Sequence, residues 1–491
     1  MKVLLINPPI EVFPEEFISV VPPLGLAYIA AVLEKVGHEV RIMDCLALSW
    51  RKPQEMIRGG KRISRLSPGL DYIVSFIKKS NPQIVGISNL FTSTEKETYR
   101  LAKLIKKLLP QVPIVVGGAN ASVRYSALIR KKEIDFVIIG EGEETMKELI
   151  ETLEKRGALN KVKGLVFKDK NGREKVNFPR ELINDLNQLP FPAWHLLPME
   201  EYFYGQPAGI FLKKRRSITV LSSRGCPNSC SFCTNEKVWT RFWRARNVEG
   251  VIAEIRYLKK KYGVKEIQFV DSNISVDRQR IKKLCRGLKR EKIVWIPAGG
   301  VAVSTLDQSL VRLMAESGCY ALQFGIEHGN LDMQRRIGKI VPLGKTQELV
   351  RESKGVGIWT HGNFIVGLPG ETVKTAYQSL DYAIKADFDS VSFFTALPLP
   401  GSRVYQEIFK QDEINLDNLR FYLSKVKCSS LGNKKIKEII RNSFHQFLIF
   451  KLKRELHPSQ IIRRVRQIRS IDEIMFYLRM VRRFVQISTI K

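Results

Sequence analysis

Short apolar runs alternate with amphipathic stretches over the first 155 residues. The apolar runs are rich in β-branched residues and end in glycine, proline or asparagine, as buried strands do, and the stretches between them have helical spacing. This alternation predicts an α/β domain built on a doubly wound parallel sheet of the Rossmann or flavodoxin type. The predicted strands are 2–7, 38–43, 83–88, 114–116 and 136–139, and the predicted helices are 25–36, 71–79, 95–109, 122–130 and 143–155.

A second series of strand and helix patterns covers residues 216–405. Two clear amphipathic helices, 279–289 and 306–317, lie between short apolar runs, which is typical of β/α units. Six such units are predicted, and chemistry in folds of this kind is found at the carboxyl ends of the strands. The predicted strands are 217–221, 266–270, 293–297, 321–326, 360–366 and 390–396.

The remaining segments connect or follow these two series. Residues 162–167 and 174–178 flank a turn at Asp169-Lys-Asn171-Gly172 and predict a hairpin, which a proline-rich segment containing Trp194 and His195 follows as a packed linker. Basic amphipathic helices are predicted at 436–454 and 461–485. The predicted divisions are 1–155, 156–215, 216–405 and 406–491.

The composition is that of a globular protein, with 44% hydrophobic and 26% charged residues in a chain of 491. No run of about 18 apolar residues occurs, and the first residues resemble a buried strand more than a signal peptide. The seven cysteines, three of them clustered, argue against a disulfide framework. These features predict a cytoplasmic protein.

The net charge of +32 is unusual and suggests an anionic partner: nucleic acid, a membrane surface or an acidic small molecule. Basic solvated faces are the alternative explanation. No RNA-recognition signature is visible, so nucleic acid is the least expected partner. From residue 434 onward 15 Lys and Arg stand against 4 Asp and Glu, so the terminal helices are expected either to touch a membrane peripherally or to pack on the preceding domain.

Three cysteines, Cys226, Cys230 and Cys233, follow the first strand of the second series at CxxxCxxC spacing. Thiolates are soft ligands that suit zinc and iron–sulfur clusters. A structural zinc requires four ligands, and the next cysteines are Cys285 and Cys319. Three thiols therefore fit a [4Fe–4S] cluster with one open iron better than a zinc knuckle, which remains the alternative.

This loop resembles the signature of the radical S-adenosylmethionine (SAM) superfamily, whose aromatic position is occupied by Phe232. The resemblance implies a partial TIM-like (β/α)6 barrel, SAM bound at the open iron, a 5′-deoxyadenosyl radical, and an external electron donor such as flavodoxin or ferredoxin. His328 stands where this family more often has serine, and its role is open. By the same resemblance, the SAM contacts are Phe232, Asp271, Glu327, Gly362, Ile365 and Gly367.

The first domain resembles the cobalamin-binding domain found upstream of many radical SAM cores. Polar and glycine-rich segments follow its predicted strands, where doubly wound sheets bind ligands. The DxHxxG motif of other cobalamin domains is missing, and His38 is expected in a surface turn. A flavodoxin-like domain with only a structural role is the alternative. The cobalamin contacts implied by the resemblance are Asn7, Ser88, Thr92, Ser93, Gly117, Gly118, Gly140 and Glu141.

The two resemblances together indicate a cobalamin-dependent radical SAM enzyme, similar to class B radical SAM methyltransferases. The implied reaction is methyl transfer to an unactivated carbon of a small-molecule or lipid-like substrate, which the basic charge suggests is anionic. One alternative is a radical cyclase or rearrangement enzyme of the tetrapyrrole-cyclase type. An RNA-binding or RNA-modifying protein is the alternative from another class.

Overall fold

The computed structural model describes residues 1–13, 19–58, 60–205, 212–409 and 428–457. The first part of the chain folds around a seven-stranded sheet with helices on both faces. Its strands are β1 (Lys2–Asn7), β2 (Ile10–Val12), β3 (Glu39–Asp44), β4 (Gln54–Arg58), β5 (Lys61–Leu66), β6 (Ile84–Ser88), β7 (Ile114–Gly117), β8 (Phe136–Ile138), β9 (Leu165–Lys168) and β10 (Glu174–Val176). Its helices are α1 (Leu24–Lys35), α2 (Leu70–Ser80), α3 (Glu95–Leu108), α4 (Ala119–Ile129), α5 (Glu143–Glu154) and α6 (Met199–Tyr204).

The strand order of the main sheet is β10-β9-β8-β7-β6-β1-β3. The strands from β3 to β8 are parallel, and the predicted hairpin, β9 and β10, adds an antiparallel edge. Counting only the parallel strands in chain order gives 2-1-3-4-5, the flavodoxin order, with its switch point between β1 and β6. The prediction of a doubly wound sheet is confirmed.

Alternation along β1 shows why both faces are covered. Val3 and Leu5 pack into the core on the side of α1 and α5, while Leu4 and Ile6 pack against α2, α3 and α4 on the other side. Strands buried on both faces read as continuous apolar runs, which made this sheet predictable.

A small antiparallel sheet of order β2-β5-β4 was not predicted. Its strands are short and charged, and β2 pairs with a segment about 50 residues away, so no local apolar pattern indicates it. It is tied to the main domain by the ion pair between Arg65 and Glu97, whose nitrogen and oxygen lie 2.7 Å apart.

The second part of the chain contains the six predicted parallel strands. They form two three-stranded sheets, β11-β14-β15 and β16-β17-β18, which isolated parallel bridges at Trp295–Cys319 and Val301–Phe324 join into a partial barrel. The strands are β11 (Ser217–Val220), β12 (Ser223–Arg224), β13 (Arg244–Ala245), β14 (Glu266–Phe269), β15 (Val294–Pro297), β16 (Ala321–Glu327), β17 (Trp359–Val366) and β18 (Ser390–Thr395). The helices are α7 (Asn235–Val238), α8 (Val248–Tyr262), α9 (Arg278–Glu291), α10 (Gln308–Glu316), α11 (Leu331–Arg336), α12 (Leu343–Gly355), α13 (Val373–Ala386), α14 (Arg403–Ile408) and α15 (Asn433–Glu455).

Helix α15 corresponds to the first predicted basic helix of the tail. Its buried residues Ile436, Ile439 and Phe447 join the barrel core, and Lys451 and Arg454 pair with Asp387 at the end of α13. The second predicted helix, 461–485, lies outside the described residues. In the part of the chain that the structure describes, no helix is long and apolar enough to span a membrane.

Candidate active site

The three clustered cysteines occupy a loop between β12 and α7, just beyond the carboxyl end of β11. A turn closes its second half, because the backbone N–H of Cys233 donates to the carbonyl of Cys230 at 3.1 Å. The backbone N–H of Asn235 points at Cys233 Sγ from 3.4 Å. Cys226 and Cys230 are half-buried and Cys233 is exposed, so the thiols lie at the surface of the barrel mouth.

Contacts from distant parts of the barrel hold this loop. Ser231 donates its N–H to the carbonyl of Ile337 at 2.8 Å and accepts from the N–H of Val404 at 3.0 Å. Arg241 donates to the carbonyl of Pro227 and Arg403 to that of Ser229. Phe232 and Ile365, both predicted to serve SAM, pack into one apolar cluster with Met333, Ile337, Leu368, Ala396, Val404, Ile408 and Cys428.

A cavity of about 280 Å³ opens beside the loop at the carboxyl ends of the barrel strands. Asn228 of the Cys loop and Glu327 at the end of β16 both line it, so the structure brings these two elements together. The other residues around the cavity are Ser272, Asn273, 298–304, Gln323, Gly325, 338–342 and Asn363.

Glu327 is paired with Lys339, a residue that sequence reasoning missed. Lys339 Nζ lies 2.6 Å from Glu327 Oε1. Burial would lower the pKa of Lys339, but Glu327 and the neighbouring cysteines hold it above its usual value. Burial raises the pKa of the Cys230 thiol to about 11 against the opposing effect of Lys339. In the sequence, Lys339 is marked only as a single basic residue in the segment Ile337-Gly-Lys339-Ile, which does not by itself indicate a partner for Glu327.

The structure does not bring Asp271 to the cavity, contrary to its predicted role. The carboxylate is 1% exposed and accepts hydrogen bonds from the Ser222 N–H, the Ser222 hydroxyl at 2.8 Å and the Ser223 hydroxyl. Burial raises its pKa. Asp271 therefore secures the segment that leads into the Cys loop, while its neighbours Ser272 and Asn273 face the cavity.

The other motif residues of β16 and β17 make packing contacts and hydrogen bonds within the barrel. Gly362 is packed against the ring of Phe388, and the N–H of Gly367 donates to Glu371. His328 Nδ1 accepts from the Asn330 N–H at 2.9 Å, so the proton on Nε2 is donated to Glu371 Oε1 at 2.9 Å. Both side chains of this pair are fully buried, which assigns His328 a structural contact between β16 and the turn after β17.

In the first domain, the predicted cobalamin residues do gather at the carboxyl edge of the sheet. Asn7 donates to Asp44 Oδ1 at 2.8 Å at the end of β1, and Thr92 donates to Asn120 Oδ1 at 2.8 Å after β6. Ser88 is buried at the end of β6, and Ser93 is half-buried in a short 3₁₀ turn.

Two asparagines that were not predicted to bind cobalamin organise this edge. Asn89 is fully buried, donates to Thr94 and Thr98, and accepts from Asn120 Nδ2 at 2.6 Å. Gly118 has a φ of +121°, and a Cβ there would lie 2.8 Å from the carbonyl oxygen of Asn89, so only glycine fits. Gly117 ends β7 beside it. An asparagine two residues after Gly118 was the sequence signal for the network.

The structure places Gly140 at the predicted edge but gives Glu141 partners within the protein. Gly140 lies at the edge, where its N–H donates to the Ser122 hydroxyl at 2.9 Å. The Glu141 carboxylate instead accepts from Arg224, Arg244 and the N–H of Ile183, which leaves it committed to the protein and not to a cofactor. Burial opposes ionisation of Glu141, yet the two arginines hold its pKa below the usual value.

The edge of the first sheet and the Cys loop are neighbours. Helix α7, which follows Cys233, packs on α4, which follows Gly118. A Cβ placed on Gly140 would lie 3.9 Å from the carbonyl oxygen of Val238 in α7. Ligands held at the carboxyl edge and at the barrel mouth would therefore lie on neighbouring parts of the structure.

The donor set suits the implied cofactors. Three thiols on one short loop are the protein ligands of a site-differentiated [4Fe–4S] cluster, in which each thiolate binds a different iron. Among the residues that the structure describes, no three His, Cys, Asp or Glu side chains converge on a single metal ion. The sheet edge offers glycine backbone and neutral hydroxyl and amide groups, which suits a large, weakly charged ligand.

Family models match both domains of the chain. The B12 binding domain model matches residues 15–150, and the radical SAM superfamily model matches residues 220–383. These matches fall on the doubly wound sheet and on the partial barrel.

Similar proteins share this arrangement over most of their length. Cytidylyl-2-hydroxyethylphosphonate methyltransferase of Streptomyces wedmorensis is 33% identical over 84% of this chain and 82% of that protein. An uncharacterized methyltransferase of Pyrococcus horikoshii is 31% identical over 91% of this chain and 93% of that protein. The solved structure of the cobalamin-dependent SAM radical enzyme OxsB, with aqua-cobalamin and SAM bound, matches the fold with a TM-score of 0.71 at 18% identity, over 99% of this chain and 71% of OxsB.

The fold and the site define an enzyme of the radical SAM superfamily with an attached cobalamin-binding domain. The chain belongs to the family of cobalamin-dependent radical SAM methyltransferases. The predicted cofactors, a [4Fe–4S] cluster, SAM and cobalamin, are those of this family, so the zinc and purely structural alternatives are wrong. The predicted domain limits and the role of each site residue stay predictions.

Proposed function

We propose that this enzyme transfers a methyl group to a carbon atom of an anionic small molecule. The observation that carries the proposal is the packing of α7, which follows the Cys loop, on α4, which lies at the carboxyl edge of the first sheet. A methyl donor and a radical generator must reach the same substrate carbon, and adjoining sites meet that requirement. The cluster with SAM supplies radical hydrogen abstraction when bound, and cobalamin supplies the methyl group.

Cys226, Cys230 and Cys233 are proposed to hold the cluster. Their thiols must lose protons on binding iron, and the raised pKa of Cys230 means that binding is coupled to proton release. The loop carbonyls are already occupied by Arg241, Arg403 and the N–H of Val404, so the loop is held in place from the protein side.

SAM is proposed to occupy the cavity at the barrel mouth. The pair of Lys339 and Glu327 offers one charge of each sign to an amino acid moiety, and Ser272 and Asn273 offer neutral hydrogen-bonding groups. Phe232 and Ile365 pack in the apolar cluster beside the loop and do not line the cavity itself. Gly362 and Gly367 are proposed to act through the packing of β17, not by direct contact.

Cobalamin is proposed to lie over the carboxyl edge of the first sheet at its switch point. The proposed contacts are the loops that carry Asn7, Ser88, Thr92, Ser93, Gly117, Gly118 and Gly140. Exposed Leu90 and Phe91, in the loop after β6, add apolar surface at the same edge. Such a mixture of apolar surface and few polar groups suits a large ring.

The anionic nature of the substrate is supported by the net charge of +32 and by similarity to an enzyme that methylates a cytidylylated phosphonate. The basic surface also suits an acidic electron donor such as flavodoxin or ferredoxin. Peripheral membrane contact stays a prediction: in α15, Ile436, Ile439 and Phe447 pack on the barrel, whereas Ile449 and Leu452 are exposed.

The test is anaerobic turnover by the reconstituted enzyme with SAM labelled in its methyl group. Anionic candidates, beginning with cytidylylated phosphonates, are compared with neutral analogues. We expect label in the product together with 5′-deoxyadenosine, and turnover only with the anionic candidates. A ring-closed or rearranged product without label would contradict methyl transfer and favour the cyclase alternative.

A further inference from the structure

A buried layer of ionised side chains lies between the two domains, directly behind the Cys loop. None of its members is more than 7% exposed, and three positive charges balance three negative ones. Two of the carboxylates belong to the first domain and the other four groups to the second. We call this set the interdomain ion layer: Arg224, Arg244, Arg246, Glu141, Glu143 and Glu254.

Arg224 is the member that joins the domains at the Cys loop. Its Nη1 lies 2.8 Å from Glu141 Oε1, and its Nη2 lies 2.5 Å from Glu143 Oε1. A guanidinium holds two donors in one plane, so two carboxylates fix its orientation as well as its position. Both carboxylates follow Gly140, at the edge where cobalamin is proposed to bind.

The connection from Arg224 to the cluster site is short. Only Gly225 separates it from Cys226, and Gly225 has a φ of +83°. A Cβ at Gly225 would collide with the carbonyl oxygen of Phe242, so only glycine fits at this turn. Arg224 also pairs in register with Arg244 across β12 and β13.

Glu141 is shared by both strands of that pair. Arg244 Nη1 donates to its two oxygens at 3.1 and 2.9 Å, while Arg224 donates to Oε1. Arg246, two residues further along, contacts the hydroxyl of Tyr28 in α1 at 3.2 Å and pairs with Glu254. The layer therefore ties the segments on either side of the Cys loop to the first domain.

Ion pairs in such a dry environment tolerate little displacement, because a separated charge is left without water or a partner. We propose that Arg224 is a positioning residue that sets the distance between the cluster and cobalamin. This rests on the proposed function, in which the Cys loop holds the cluster and the sheet edge holds cobalamin. Arg224 touches neither the substrate nor a cofactor in this assignment and acts through Glu141 and Glu143.

The test uses the holoenzyme carrying both cofactors, in wild type and in the Arg224→Met and Arg224→Lys variants. A reduced cluster speeds the electron-spin relaxation of nearby cob(II)alamin, so this relaxation reports their separation without turnover. We expect both variants to bind both cofactors but to show a weaker and broader relaxation effect, larger for Met than for Lys. The methylated product per 5′-deoxyadenosine should fall about 10- to 100-fold in the Met variant.

Lys354→Met is the matched control, because Lys354 is also a buried cation paired with a carboxylate, Asp387, but at the amino end of the barrel. It should lower thermal stability and leave the relaxation and the product ratio unchanged. If Arg224→Met does not fold, Glu143→Gln removes the negative charge that pairs with Arg224 Nη2. This variant should give a smaller change in the relaxation and in the product ratio.

Unchanged relaxation and product ratio in a variant of Arg224 or Glu143 that holds both cofactors would overturn the inference. Wild-type protein that holds both cofactors with strong relaxation coupling but methylates nothing would contradict the proposed function alone. Wild-type protein that cannot bind cobalamin would contradict both.

Discussion

The two carboxyl edges that meet where α7 packs on α4 are built in different ways. The barrel edge is defined by charge and sulfur, with three thiols on a loop beside the cavity that Lys339 and Glu327 line. The edge of the first sheet is defined by neutral groups, with the Asn89–Asn120 network and glycines that let backbones approach closely. The barrel edge suits a small charged cofactor and electron transfer, and the edge of the first sheet suits a large ring. The difference predicts which variants should damage one edge and spare the other.

The largest effect is expected from Cys230→Ala. The loop loses one of three thiolates, so the cluster should fail to assemble and 5′-deoxyadenosine formation should fall to background, while cobalamin still binds. The visible absorption of the cluster and of the corrin measures both at once. Cys285→Ala, which removes a buried thiol in α9 outside the loop, is the control and should keep the cluster. A Cys230→Ala enzyme that keeps its cluster and its activity would contradict the assignment of the Cys loop as the cluster site.

Gly118→Ala should weaken cobalamin binding and leave the cluster intact, the opposite of Cys230→Ala. The added Cβ would lie 2.8 Å from the Asn89 carbonyl at a φ that side chains avoid, a strain of about 1–3 kcal/mol. We expect the cobalamin dissociation constant to rise by about tenfold or more, with the cluster spectrum unchanged. Equilibrium dialysis with cobalamin measures this. Gly25→Ala in α1, where nothing lies within 4 Å of the new Cβ, should leave the affinity as it is. Equal affinities in the two variants would contradict the proposed edge.

Lys339→Met tests the charged character of the barrel edge. The change leaves Glu327 without its cation at the cavity, where it would repel the carboxylate of SAM. We expect the SAM dissociation constant to rise about tenfold, which corresponds to ~1.4 kcal/mol, with little change in cobalamin affinity. Lys345→Met is the control, because its ammonium donates to the Ser304 carbonyl and takes no part in the Lys339–Glu327 pair. Unaltered SAM binding to Lys339→Met would argue against SAM in this cavity.

The smallest effect on chemistry is expected from His328→Leu. The fully buried pair with Glu371 lies beneath the barrel edge, and its loss removes two hydrogen bonds from the core. The free energy of unfolding should fall by about 1–3 kcal/mol in urea titrations. Affinities for SAM and cobalamin should stay within about twofold, a difference below ~0.5 kcal/mol. A large loss of SAM affinity with normal stability would instead place His328 in the site.

The two edges also differ in how far sequence predicted them. The Cys loop is contiguous, so spacing and the aromatic Phe232 identify it without a structure. The sheet edge is assembled from loops far apart in the chain, and only their positions after apolar runs were visible. Asp271 shows the same limit of sequence-based prediction within the barrel. A residue that follows a strand can face either the cavity or the core, and Asp271 faces the core because the hydroxyls of Ser222 and Ser223 donate to its carboxylate.

The interdomain ion layer was beyond prediction for the same reason. Arg224 and Glu141 are 83 residues apart, and no local pattern pairs them. Glu141 was expected to serve a cofactor because it follows a strand of the sheet. Its carboxylate is used by two arginines of the other domain, and only the packing of the domains determines this.

The most direct test that the two cofactor sites are neighbours is the spin relaxation of cob(II)alamin in the wild-type enzyme, with and without the reduced cluster. Cys230→Ala protein loaded with cobalamin alone supplies the reference. If the two edges meet as the packing of α7 on α4 indicates, relaxation should be markedly faster in the protein that carries both cofactors. Identical relaxation in the two proteins would contradict the account.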